Sequence, residues 1–211
     1  MTSSWLSEIR ASYDTVAPSY AVQLRDALAG KPHLRALLGL FAELADGRVA
    51  DVGCGPGWVT AHLRSLGVDA FGLDLSPEMI AFARRTHADV PFAVGSMTDL
   101  PLPTDSLGGI LAFWSLIHLP DAALPTVLAH FHRTLRPGGV VLVGFHVGDT
   151  TTCKTSGYGG HPMHVHIHRR RPATMSAFLR AAGFTIESET LFDPDARVPG
   201  AVVIARAGQS Q

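Results

Sequence analysis

The spacing of hydrophobic residues changes near position 48. Before it, Leu34, Leu37, Leu38, Phe41 and Leu44 recur at the interval of one helix face, and Gly47 ends the run. The preceding stretch, "SEIRASYDTVAPSYAVQLRDAL", has a weaker helical pattern, expected to break near Pro18 because proline lacks the helical N–H donor. Residues 1–46 therefore read as helical. From Arg48 onward, short apolar runs alternate with helical segments: "RVADV" (48–52), "AFGLD" (70–74), "PFAVG" (91–95), "LGGILAF" (107–113) and "GVVLVGF" (139–145). Runs that are apolar on both faces predict parallel strands covered by helices on both sides.

Between these runs, Ser76 and Pro77 supply an N-cap and a preset first residue for a helix over 77–87. Asp121 is expected to cap the next helix, whose stripe is Leu124, Val127, Leu128, Phe131 and Leu135, with "RPGG" (136–139) ending it. After Phe145 comes a polar, glycine-bearing stretch (148–160), then "HPMHVHIHRR" (161–170), read as a strand, and a helix from Pro172 to about Ala182. "FTIESETLF" (184–192) and "GAVVIAR" (200–206) are expected to pair as a hairpin, and "AGQSQ" (207–211) to fray.

Composition narrows the function classes. With 46% hydrophobic and 17% charged residues, the 211-residue chain can bury a large core in one domain. A formal net charge of -1 gives no general pull toward nucleic acid or an anionic membrane, so a small-molecule partner is expected, the chain being a monomer or homodimer. No apolar run reaches the roughly 18 residues of a membrane span, and "MTSSWLSEIR" lacks a signal-peptide pattern, which points to the cytoplasm. Cys54 and Cys153 are too few for a disulfide framework and read as free thiols.

"VADVGCGPGW" (49–58) follows the first strand and opens a helix, with Gly53, Gly55 and Gly57 at alternate positions. Glycines allow a sharp turn and can bring bare backbone N–H groups against a ligand. About 20 residues on, Asp74 ends the second strand, where a carboxylate can take both hydroxyls of a ribose. A nucleoside-bearing ligand is expected. The dinucleotide fingerprint G-x-G-x-x-G requires glycine at 58, and Trp58 stands there, which argues against an NAD-dependent oxidoreductase.

G-x-G-x-G preceded by Asp51 resembles the first motif of the class I S-adenosylmethionine-dependent methyltransferases. "GLDLSPEMI" (72–80) is similar to that family's second motif, implying that Asp74 holds the ribose, with Leu75 and Met79 beside it. "VGSMTDLPLPTDSLGGILAFWSLIHL" (94–119) looks like the adenine-contacting stretch and fourth strand, implying Ser96 and Met97 at the adenine; Ser96 stands where many members carry an acid. "LRPGG" (135–139) resembles the turn before the fifth strand, and "YDTVAPSY" (13–20) the N-terminal lid of the small-molecule branch. The resemblance implies a Rossmann-like, doubly wound α/β fold whose seven-stranded sheet has its last strand antiparallel. It divides into a helical lid (1–46), a cofactor-binding core (47–147), a substrate-side insertion (148–171) and a C-terminal helix and strand pair (172–211). S-adenosylmethionine is the implied cofactor, with Cys54, Gly53 and Gly55 in its loop. The implied reaction is methyl transfer to O, N or C of a small molecule, expected to be a secondary metabolite.

Ligands in such sheets bind beyond the carboxyl ends of the strands. Trp114, Ser115 and His118 follow the fourth strand there, and His146 and Val147 the fifth. Trp114 and Ser115 are cofactor candidates. His118 and His146 are candidates for base or substrate-orienting group, or simply for lining the pocket. Tyr13 and Tyr20 either turn aromatic faces to the sulfonium or pack the lid. His161, His164, His166 and His168 are candidate substrate contacts; on a strand the last three share one face. A solvent-facing row and a metal site are the alternatives, and no metal is expected because no acidic or cysteine partner lies nearby in sequence. Arg169, Arg170 and Arg171 read as a solvated charge run or, alternatively, an anion clamp. A protein that keeps S-adenosylmethionine as a scaffold for non-methylating, isomerase-like chemistry is the remaining rival.

Overall fold

A computed structural model describes residues 4–208. Two helices, α1 (Ser4–Gln23) and α2 (Pro32–Leu44), precede an alternating core. That core comprises β1 (Val49–Val52), α3 (Trp58–Ser65), β2 (Ala70–Asp74), α4 (Pro77–Thr86), β3 (Phe92–Val94), β4 (Leu107–Phe113), α5 (Leu124–Thr134) and β5 (Leu135–His146). Then come β6 (Thr151–Gly157), β7 (His161–His168), α6 (Pro172–Ala181), β8 (Phe184–Phe192) and β9 (Gly200–Ala207). The main sheet has seven strands in the order β3-β2-β1-β4-β5-β9-β8, parallel from β3 to β5, with β9 antiparallel to both neighbours. This is the expected Rossmann-like architecture, lid helices included.

Both faces of the sheet are covered, which is why its central strands carry no polar face. Val141, Val143, Phe145, Leu128, Phe131 and Leu179 are buried on one side; Leu38, Phe41, Val49, Leu63, Leu111 and Leu142 on the other. Ser76 caps α4 as its sequence predicts, accepting the Met79 N–H at 3.1 Å.

Four local expectations are corrected. Pro18 does not break α1, which runs unbroken across 20 residues. Burial of Val16, Ala17 and Ala21 holds the helix together where propensity alone would not. Within the polar stretch after Phe145, Thr151–Gly157 forms a strand antiparallel to His161–His168 in a separate two-stranded sheet. Its side chains are mostly exposed, so backbone pairing is its main stabilisation and no hydrophobic period marks it. Asp121 does not cap α5; it opens a 3-10 turn, and its carboxylate instead accepts from Arg170 Nε at 2.9 Å. Arg170 is only 3% exposed, and its guanidinium also donates to the carbonyls of Leu116 and Leu119, so it is neither solvated nor an anion clamp. Of the tail expected to fray, Ala207 belongs to β9, and residues 209–211 lie outside the described part.

Among the described residues, no helix is long and apolar enough to cross a membrane.

Candidate functional site

Strand order reverses beside β1, whose neighbours are β2 and β4, so the loops leaving β1 and β4 part and open a cleft at their carboxyl ends. Gly53 and Ser115 form its floor. Gly53 has φ +82°, and a Cβ there would lie 2.3 Å from that of Ser115. Ser115 is fixed in turn by donating its hydroxyl to the Val52 carbonyl at 2.7 Å.

The glycine loop does not present its N–H groups to a ligand, contrary to the simplest reading of its sequence. The N–H groups of Gly53 and Cys54 both donate to the Leu73 carbonyl, at 2.7 and 3.0 Å, and that of Gly57 to the Cys54 carbonyl at 3.1 Å. Gly55 N–H donates to Asp74 Oδ2 at 2.8 Å. The glycines instead make room: a Cβ on Gly57, at φ +85°, would stand 2.6 Å from the Phe92 ring. A pyrophosphate needs free N–H donors at such a turn, and these four are spent.

Two adjoining chambers, of about 100 and 300 Å³, fill the cleft and share Tyr13, Tyr20, Gly53, Phe113 and Trp114. The first is lined by Asp74, Leu75, Ser96, Met97, Ser115 and His118. The second is lined by Asp51, Cys54, Trp58, His146 and Tyr158. Neither lining contains a lysine or arginine, whereas each holds a carboxyl, half-buried Asp74 or buried Asp51, and several aromatic rings. Burial pushes the Asp51 carboxyl up to about 7, against the pull of the Thr60 hydroxyl that donates to it at 2.6 Å. Burial likewise raises Asp74, opposed by the N–H groups of Ser76 and Gly55. Such a cavity favours a cation and disfavours phosphate.

The lid has two parts joined by one small core. Val16 from α1 packs on Met163 and Val165 from β7, with Tyr13, Tyr20 and Tyr158 around them. Ser12 accepts the His164 N–H at 2.8 Å. Asp14 fastens α1 across the cleft by accepting the Ser76 hydroxyl at 2.6 Å.

Hydrogen bonds settle the tautomers of both candidate histidines. His118 Nδ1 lies 3.0 Å from the His166 carbonyl and must donate to it, leaving Nε2 to accept from the Tyr13 hydroxyl at 2.7 Å. Burial pushes His118 down to about 4, so it is neutral near pH 7. His146 Nδ1 accepts from the Trp114 indole N–H at 3.2 Å, so the proton of neutral His146 sits on Nε2. Burial and the charge of Arg169 lower its pKa as well.

The histidine row lies outside the two chambers but beside them. Met163 and Val165 pack in the lid core, while His164, His166 and His168 line an outer groove with Trp5 and Glu8 that shares Ile9 and His118 with the first chamber. His161 pairs with Ser19, His164 with Glu8 and His168 with Thr151. The strand reaches the chambers through the main-chain carbonyl of His166, which meets His118. Among the described residues, no three His, Cys, Asp or Glu side chains converge as metal ligands. Met79 is 1% exposed and lies outside both linings. Ser96 lines the first chamber with its hydroxyl 2.7 Å from that of Thr98. Trp58, Phe113 and Tyr158 went unrecognised in the sequence; Tyr158, at φ +49° in the β6–β7 turn, stacks edge-on with Tyr20 at 4.6 Å.

Residues 49–139 match a family model described as a methyltransferase domain. Over 106 residues, half of this chain, it is 34% identical to a malonyl-[acyl-carrier protein] O-methyltransferase of Serratia marcescens, of which the match covers 41%. The chain spans less than half the length of the several carrier-protein methyltransferases it matches. It is similar to a structure described as a DhpI–SAH complex, with TM-score 0.77 and 25% identity over 98% of both chains. The [4+2]-cyclase SpnF shares the fold, with TM-score 0.73 and 19% identity over 97% of both chains. By the family-model match residues 49–139 form a methyltransferase domain, and the solved DhpI–SAH relative supports an S-adenosylmethionine-type cofactor in its cleft. The chemistry of the cleft fits a cationic adenosine cofactor: a carboxylate at the end of β2, a second under-partnered carboxyl, aromatic walls and no spare N–H cradle.

Proposed function

We propose that this chain transfers a methyl group from S-adenosylmethionine to a small molecule, with an aromatic secondary metabolite as the substrate class. The observation that carries the reading is that the two chambers run together at Tyr13, Tyr20, Gly53, Phe113 and Trp114, a continuous cavity long enough for the cofactor with an acceptor beside it behind a protected wall. When bound, the cofactor supplies an activated methyl group on a positively charged sulfur. Asp74 would hold the ribose, Leu75, Ser96 and Met97 would border the adenine, and Asp51 would face the amino group.

The chain's own task is alignment and, for an O–H or N–H acceptor, proton removal. Tyr13 keeps a free lone pair while donating to His118. As the acceptor's proton passes to the Tyr13 oxygen, the hydroxyl proton of Tyr13 passes to His118 Nε2, and the His166 carbonyl supports the resulting imidazolium through Nδ1–H. A base held this low works only in concert with methyl transfer, when the acceptor is losing electron density. Chains of this fold also include one named as a [4+2]-cyclase, which supports a second reading, substrate rearrangement beside an unspent cofactor. Mass spectrometry after incubation with S-adenosylmethionine and a panel of phenols and heteroaromatics separates the two. Matched amounts of S-adenosylhomocysteine and methylated product are expected, and cofactor binding without methylation across the panel would favour rearrangement.

A further inference from the structure

A third chamber, of about 680 Å³, opens off the second and shares Leu24, Leu34, Trp114 and His146 with it. Its walls continue through Leu191, Phe192 and Val198 on the β8–β9 side. At its mouth Lys31 Nζ and Asp193 Oδ2 face each other at 3.4 Å, both more than half exposed. A volume of this order already suits a drug-sized ligand, since such pockets run from about 300 to 1,000 Å³. A single-ring acceptor would leave it empty.

The pair at its neck is fixed. Trp114 has a left-handed backbone at φ +56°, and its indole lies against Gly144 and Gly200, where a Cβ would meet ring carbons at 2.7 and 3.1 Å. Residues held in that conformation persist where their surroundings overdetermine them, as at ligand clamps. With its Nδ1 occupied by the indole, His146 has one polar atom left for a ligand, the Nε2–H donor.

We propose that the acceptor molecule lies along this third chamber, with an apolar extension against Leu191 and Phe192 and an oxygen or nitrogen lone pair accepting from His146 Nε2. His146 is then a recognition residue that donates, and the base role falls to the Tyr13–His118 pair. This rests on the methyl-transfer reading, whose cofactor step can be measured separately.

The test is calorimetry with 4-alkylphenols, from 4-ethylphenol to 4-hexylphenol, titrated into protein saturated with S-adenosylhomocysteine. Affinity should climb with chain length, up to about fourfold for each fully buried methylene. Leu191→Arg, at a side chain already 50% exposed where the guanidinium can reach solvent, should flatten the climb without changing affinity for S-adenosylhomocysteine. His146→Phe should weaken every phenol about tenfold, and His146→Gln, which keeps a donor, should restore most of the loss. Equal affinities across the series, a climb that survives Leu191→Arg, or unchanged binding by His146→Phe would each overturn the proposal while leaving the cofactor reading intact. No heat from S-adenosylhomocysteine itself would overturn both.

Discussion

The Tyr13 hydroxyl donates to His118 Nε2 at 2.7 Å, joining the lid helix to the loop after β4 across 105 positions of sequence. Neither group would be a useful base alone: burial holds the histidine near 4 and raises the phenol well above its usual range. Tyr13→Phe keeps the ring and removes the relay. Steady-state kinetics should show kcat lowered about a hundredfold for a hydroxyl acceptor, the scale of lost general-base assistance, with affinity for S-adenosylhomocysteine nearly unchanged.

Asp51 and His118 oppose each other in acid. Asp51, raised to about 7 in the fold, adds stability that is complete below its unfolded value near 4 and is lost as pH rises through 7. His118, depressed to about 4, adds stability that is complete above its unfolded value near 6.5 and is lost as pH falls through 4. Between these limits the two slopes have opposite sign. Thermal melts of Asp51→Asn should therefore show a steeper loss of Tm from pH 6.5 to 4 than the parent protein shows.

The same carboxyl predicts a proton count. At pH 7 Asp51 is about half protonated, and a neighbouring ammonium would ionise it. Binding of S-adenosylhomocysteine at pH 7, measured in buffers of different ionisation enthalpy, should release about half a proton, and Asp51→Asn should abolish the release.

How much of this was legible in the residues differs by element. Strands buried on both faces announce themselves, because nothing but apolar side chains fits there; β1, β2, β4 and β5 are of this kind. β6 has no such signature, since "TTCKTSG" buries no side chain and its order comes from backbone bonds to β7. Asp74 and the glycine loop were readable as a nucleoside site, but the destination of the loop's N–H groups was not, because their acceptor is the Leu73 carbonyl from another strand. The alternation of His164, His166 and His168 gave their shared face but not its direction; α1, a partner distant in sequence, takes the opposite face. Arg170 looked like one member of a charged run because its acceptors, at Leu116, Leu119 and Asp121, are about 50 residues away.

Gly53→Ala should be severely destabilising. It places a side chain at φ +82° and a Cβ 2.3 Å from that of Ser115. Left-handed strain costs about 1–2 kcal/mol and overpacking about 1–3 kcal/mol. Denaturant melts should show a loss of about 2–5 kcal/mol. Adding Ser115→Gly should recover only the overpacking share.

Arg170→Met should destabilise in the same assay by about 1–3 kcal/mol for each of the Leu116 and Leu119 carbonyls that loses its donor, while Asp121, 64% exposed, turns to solvent. The loop after β4 carries His118, so catalysis should fall with it even in the fraction that stays folded.

The absence of lysine and arginine from both chamber linings also decides which adenosine compounds can compete for the cleft. ATP and the nicotinamide dinucleotides offer the same adenosine end, but their negative charges would meet Asp51 with no lysine or arginine in the lining itself to receive them. Both should therefore compete more weakly than S-adenosylhomocysteine for the cleft.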